Sequence, residues 1–168
     1  MLLGNGHIQR THPAMLPGQE VQVDSPQLFV ETSCPECGAP WRHGLSCWEQ
    51  FGAILAWEWQ DPELLAVHFL TVAAYNLQHP AQFTDAAITG LRAAFIDYLD
   101  SEITIAEIRA RMARVAEGES RVLRPEAERR PVLRHWRLTI TDVYQHGAPE
   151  GAAARVKAWA TALRHELP

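Results

Sequence analysis

Residues 46–79 read Ser46-Cys-Trp-Glu-Gln-Phe-Gly-Ala-Ile-Leu-Ala-Trp-Glu-Trp-Gln-Asp-Pro-Glu-Leu-Leu-Ala-Val-His-Phe-Leu-Thr-Val-Ala-Ala-Tyr-Asn-Leu-Gln-His79. This stretch decides the fold class. Ser46 is a natural N-cap, and Glu49 three residues later completes a capping box. Phe51, Ile54, Leu55 and Glu58/Trp59 follow at helical spacing. Asp61-Pro62 stops this helix and starts another, because Asp caps well and Pro is preorganised for the first helical position. The second helix is predicted from Pro62 to His79, ended by Pro80. So short a break predicts a helical hairpin whose two arms run antiparallel.

Outward from the hairpin the pattern stays helical. Thr84 caps a helix over 85–99. Thr104–Glu117 carries Ile105, Ile108, Met112 and Val115 at 3- and 4-residue spacing, with Gly118 as its stop. Residues 119–135 are charged, contain Pro125 and Pro131, and read as an exposed linker. Trp136–Thr141 reads as a short strand or an extended lead-in. Thr141 then caps a turn over 142–146. A last helix, Glu150–Glu166, is expected to bury Val156, Trp159 and Leu163. The fold expected is mainly α, a bundle of about five or six helices with an N-terminal zinc-knuckle loop. Residues 1–33, punctuated by Pro13, Pro17, Gly18 and Pro26, read as a tail in which only Gln27–Glu31 suits a strand. A single helical domain is expected over 34–168, with the knuckle at 34–47.

That knuckle is the sharpest chemical signal. Cys34-Pro35-Glu36-Cys37-Gly38 places two thiols where both can grip one metal ion from the same side. The same spacing serves thioredoxin-like redox motifs, but those need a preceding strand and a helix starting at the motif. Here the surroundings read as a loop. A tetrahedral Zn²⁺ needs two more donors. Cys47 is the only remaining thiol, and His68 and His79 are the imidazoles of the second helix. Antiparallel arms bring Cys47, at the start of the first, beside the end of the second. His68 lies eleven residues before His79, about 16 Å along a helix. The expected set is therefore Cys34, Cys37, Cys47 and His79. His68, Tyr75 and Gln78 form a further candidate polar site, since His68, Val72, Tyr75 and His79 share one helical face.

Composition bounds the function. The 168 residues are 47% hydrophobic and 21% charged, which excludes collagen-like and largely disordered classes. Three Cys exclude a fully paired disulfide scaffold. No apolar run is long enough to span a membrane and no secretory leader is evident, so a cytoplasmic protein is expected. Net charge is −5, split into an acidic first part and an Arg-rich second part. Acids interleave with the Arg residues, so a solvated, ion-paired helix is favoured over a nucleic-acid surface. There is no phosphate-binding Gly-rich loop, no His-Glu-x-x-His and no Gly-x-Ser-x-Gly elbow.

Taken together, Cys34-Pro-x-Cys-Gly, Cys47-x3-Phe51, Asp61-Pro62 and His68-x-Leu70-Thr71-Val72-x2-Tyr75-x2-Gln78-His79-Pro80 resemble an uncharacterised bacterial family, domain-of-unknown-function family 5946. Leu138-Thr139-Ile140-Thr141-Asp142-Val143 and Val156-x2-Trp159-Ala160 resemble its C-terminal signature. The resemblance spans roughly residues 34–163 and implies no activity. It does group Cys34, Cys37, Cys47, His68 and His79 among the recurring polar positions. It also implies a His one turn before Val156, where this chain has Ala152. The expected function is a small zinc-binding helical module with a structural metal and a protein partner. The alternative is a metal-dependent enzyme that uses an open zinc position or the His68/Tyr75/His79 face.

Overall fold

In the computed structural model, residues 32–101, 103–116, 121–145 and 147–168 are described. They belong to one compact unit, Glu31–Pro168. Among them are seven α-helices: α1 Cys47–Trp57, α2 Pro62–Ala66, α3 His68–Gln78, α4 Asp85–Asp100, α5 Ile105–Ala116, α6 Ile140–Tyr144 and α7 Ala152–Glu166. No β-strand occurs among the described residues, only isolated bridges such as Ser33 with Pro40.

The caps read from sequence at Ser46, Asp61 and Thr84 are made. The Ser46 amide and hydroxyl donate to Glu49 Oε2 at 2.8 and 2.7 Å, which closes the capping box of α1. Asp61 Oδ1 accepts from the Glu63 and Leu64 amides at 2.9 and 3.1 Å. The Thr84 hydroxyl accepts from the Ala87 amide, and Thr104 with Glu107 forms a second box at the start of α5. Each satisfies amides that a helix start leaves without an internal partner.

Three expectations need correction. The predicted second helix is two helices, broken at Val67, whose amide bonds back to Leu64 rather than to a residue four earlier. The tightened turn buries both Leu64 and Val67. It also lets α2 pack on α7 while α3 lies against α4 and α7. Of the two readings of Trp136–Thr141, the lead-in stands rather than the strand, for residues 136–139 run without regular structure into α6. Thr139, not Thr141, caps α6, through a box with Asp142, and Thr141 sits inside the helix with its hydroxyl donating to the Pro40 carbonyl. Residues 121–139 are not a free linker. Arg124 N bonds to Gln82 O, Thr84 N to Val122 O and Arg134 N to Glu36 O, so this irregular segment straps across the end of α3 and onto the knuckle. The Gly118 stop and the Gln27–Glu31 strand lie outside the described residues.

The core forms where α1, α2, α3, α4, α6 and α7 meet. Ile54, Leu64, Phe95, Ile140, Val143, Val156 and Trp159 are fully buried there. α1 packs mainly on α6, and α6 on α7. Ala152, where the family pattern suggested a His, is fully buried as well, so no polar group is presented at that position. Trp57 stacks on Tyr144 with ring centroids 5.5 Å apart. Trp48 and Trp59 stay outside the core, 64% and 90% exposed.

Candidate metal centre

The knuckle is a tight turn whose geometry follows from Gly38. Its φ is +72°, a left-handed conformation that costs a residue with a Cβ about 1–2 kcal/mol. The turn returns the chain so that Gly38 N bonds to Cys34 O at 3.0 Å and Cys34 N to Ala39 O at 2.8 Å. The backbone of the turn also favours thiolates, the Cys37 amide acting on Cys34 and the Ala39 amide on Cys37 to lower their values. The thiolate is the form that binds metal.

The rest of the site comes from the two helices. Cys47 is the first residue of α1, placed by the Ser46 cap, and His79 follows the last residue of α3. Cys34 Sγ and Cys47 Sγ each lie 3.5 Å from His79 Nε2. The sulfurs of Cys34, Cys37 and Cys47 and one ring nitrogen of His79 all lie within 4.8 Å of one another. All three Cys are free thiols. The four side chains are between 1% and 7% exposed.

These distances can be tested against a metal. Zn–S bonds of about 2.3 Å and a Zn–N bond of about 2.05 Å at tetrahedral angles set S···N at about 3.5 Å and S···S at about 3.8 Å. The two observed S···N separations match. The imidazole is also oriented for the task. His79 Nδ1 lies 2.6 Å from the Tyr75 carbonyl, a bond that only a protonated Nδ1 can make, so the neutral, metal-binding form of the ring would turn an Nε2 lone pair toward the sulfurs. A carbonyl accepting from the far nitrogen of the ring fixes the tautomer and raises the basicity of a ligating His.

Tyr75 supports the site on two further sides. Its ring stacks between Phe51 and His79, with both centroids at 4.0 Å, and its hydroxyl lies 3.7 Å from Cys47 Sγ. Glu36, inside the Cys-x-x-Cys loop, accepts the Ala81 amide at 2.7 Å and so ties the knuckle to the chain just beyond α3. Nothing in the spacing distinguished Glu36, because a single acid in a turn carries no periodic signal.

The electrostatics express crowding of ionisable donors. Burial works against a charged His79, but hydrogen bonds from its ring to Cys34 and Cys47 outweigh it and push the imidazole up to about 10. The Cys37 and Cys47 side chains hold the Cys34 thiol well below its ordinary value. Cys34 and Cys47, with burial, push Cys37 up. Burial and then the neighbouring Cys47 raise Tyr75. Three thiols cannot share this space as thiolates unless positive charge enters with them. A divalent cation would supply that charge.

His68 and Gln78 lie elsewhere. His68 Nδ1 pairs with Glu58 Oε2 at 2.6 Å, at the far ends of α3 and α1, with His68 53% and Glu58 5% exposed. The Ser46/His79 ends and the Glu58/His68 ends thus face each other in pairs, as antiparallel arms require. Gln78 Nε2 donates to the Leu138 carbonyl at 2.8 Å and anchors the lead into α6. Of the further candidate site, only Tyr75 touches the metal ligands.

The family model described as a family of unknown function, DUF5946, matches residues 32–168. The chain belongs to that family. No curated protein and no solved structure matches it.

Proposed function

We propose that this member of the DUF5946 family is a zinc-stabilised helical module that works by binding another protein, with the metal held structurally by Cys34, Cys37, Cys47 and His79. The observation that carries the reading is the convergence of four buried donor atoms within 4.8 Å of one another, two of the S···N separations being 3.5 Å. Three sulfurs and one nitrogen suit Zn²⁺, which accepts such sets without geometric preference. When bound, zinc would supply charge compensation and a cross-link between the knuckle, α1 and the end of α3.

The structural role is favoured over catalysis by ligand count. A catalytic zinc keeps one position for water, and four protein donors leave none. Among the described residues no helix is long and apolar enough to cross a membrane. The binding role draws support from the outer face, where Trp48 and Trp59 project large aromatic rings into solvent, the residue type that most often anchors protein interfaces.

Elemental analysis tests the metal directly. Protein purified under reducing conditions without added metal is expected to hold about one zinc per chain, and Cys37→Ser should abolish it. Metal-free wild-type protein would sink the proposal. Trp48→Ala and Trp59→Ala should leave melting temperature and zinc content unchanged. A large loss of stability in either would place that ring in the fold rather than on a binding face.

A further inference from the structure

Beside the knuckle runs a groove into which none of the metal ligands projects. Residues from the end of α3, from α4, from the 121–139 strap and from the end of the chain line it. Its volume is about 260 Å³ and its walls include Leu77, Ile88, Val132 and Leu167. A second cavity of about 290 Å³ shares Glu36, Ile88 and Val132 with it.

The charged side chains of the groove differ in one respect. Arg134 is occupied, with Nη2 donating to the Glu166 carbonyl at 2.6 Å and the guanidinium 3.8 Å over the Trp136 ring. Glu36 is occupied by the Ala81 amide. Arg92, half-buried on α4, makes no hydrogen bond or ion pair among the described residues. Glu36, which also lines the groove, does not pair with it. A guanidinium that lines an apolar groove without a protein partner keeps its planar fork of donors free for a ligand. A carboxylate answers it best, because two parallel N–H···O bonds fit the planar fork. The aliphatic walls add a preference for an apolar body. The volume lies near the lower end of small-ligand pockets, which favours a small molecule over a peptide segment.

We propose that this groove binds a small organic anion, a carboxylate carried on an apolar body, with Arg92 as its counter-ion. The site is independent of the metal reading, since no ligand of the knuckle contributes to it.

The test is an amide-resolved NMR titration of the full chain as purified, with hexanoate, benzoate and phenylacetate as probes and hexanamide as the uncharged control. At least one carboxylate is expected to give saturable shifts at Leu77, Ile88, Val132 and Leu167 and at the Trp136 indole N–H. Hexanamide should bind about tenfold more weakly than hexanoate, and Arg92→Ala and Arg92→Gln should each weaken the carboxylates by a similar factor. Arg92→Lys should retain part of the affinity. No saturable shift at these residues with any of the three acids overturns the proposal. So does equal binding of amide and acid, or unchanged affinity in both Arg92 variants. The acid-to-amide comparison on the wild-type chain decides the matter even where a variant folds poorly.

Discussion

Replacing His79 by Ala removes the donor that both Cys34 and Cys47 approach at 3.5 Å. A structural zinc with four donors is worth about 10–16 kcal/mol at neutral pH. Divided over four ligands, one imidazole accounts for about 2.5–4 kcal/mol, a loss of about 10²–10³ in affinity. The same change deletes the stack on Tyr75 and the bond to its carbonyl, so melting temperature should fall even with zinc in excess. Competition against a chromogenic chelator measures the affinity, and two controls calibrate it. Tyr75→Phe removes only the hydroxyl 3.7 Å from Cys47 Sγ, an outer contact worth about tenfold. His68→Ala, at the opposite end of α3, should leave affinity untouched. The order His79→Ala, then Tyr75→Phe, then no effect for His68→Ala is what the geometry demands. Zinc bound at wild-type affinity by His79→Ala, or a loss in His68→Ala as large as the one in His79→Ala, would refute the ligand assignment.

Other outcomes follow from contacts away from the metal. His68→Ala leaves the buried Glu58 carboxylate without its partner, so it should lose about 1–2 kcal/mol by denaturant unfolding while keeping its zinc. Adding Glu58→Gln to it should recover part of the loss. Trp159→Ala empties the centre of the core and should cost about 3–5 kcal/mol in the same assay. The ion pair of Asp100 with Arg164, 2.7 Å across α4 and α7, is exposed. Its hydrogen bonds to Arg164 hold Asp100 below the ordinary carboxylate value of 3.8. That contribution is therefore present above 3.8 and lost as pH falls through the depressed value. Thermal melts of Asp100→Asn should fall slightly below wild type at neutral pH and low salt, and the difference should vanish in strong acid or high salt.

Much of this molecule was written locally. Ser46 with Glu49, Asp61 with Pro62 and Thr84 each announce a helix within four residues, because capping is chemistry between near neighbours. The Cys-x-x-Cys-Gly knuckle is local for the same reason. The choice of His79 over His68 needed only the rise of a helix and one antiparallel turn. The interruption at Val67 had no such signal. No Gly or Pro marks it, and the gain comes from burying Leu64 and Val67 against elements far along the chain. The strap at 121–139 shows the same limit. Its charges and prolines read as a linker, and only backbone bonds to Gln82, Thr84 and Glu36 hold it down.

The sequence by itself thus determined the helical class, the caps at Ser46, Asp61 and Thr84 and the candidate donor set, since periodicity and short-range spacing encode them. Tertiary structure alone decided that the donors converge within 4.8 Å of one another, that Tyr75 and Glu36 support them, that Glu58 claims His68, and that Arg92 is left facing a groove. Each of those is a meeting of side chains from separate elements, fixed by how the helices pack rather than by any residue's immediate neighbours.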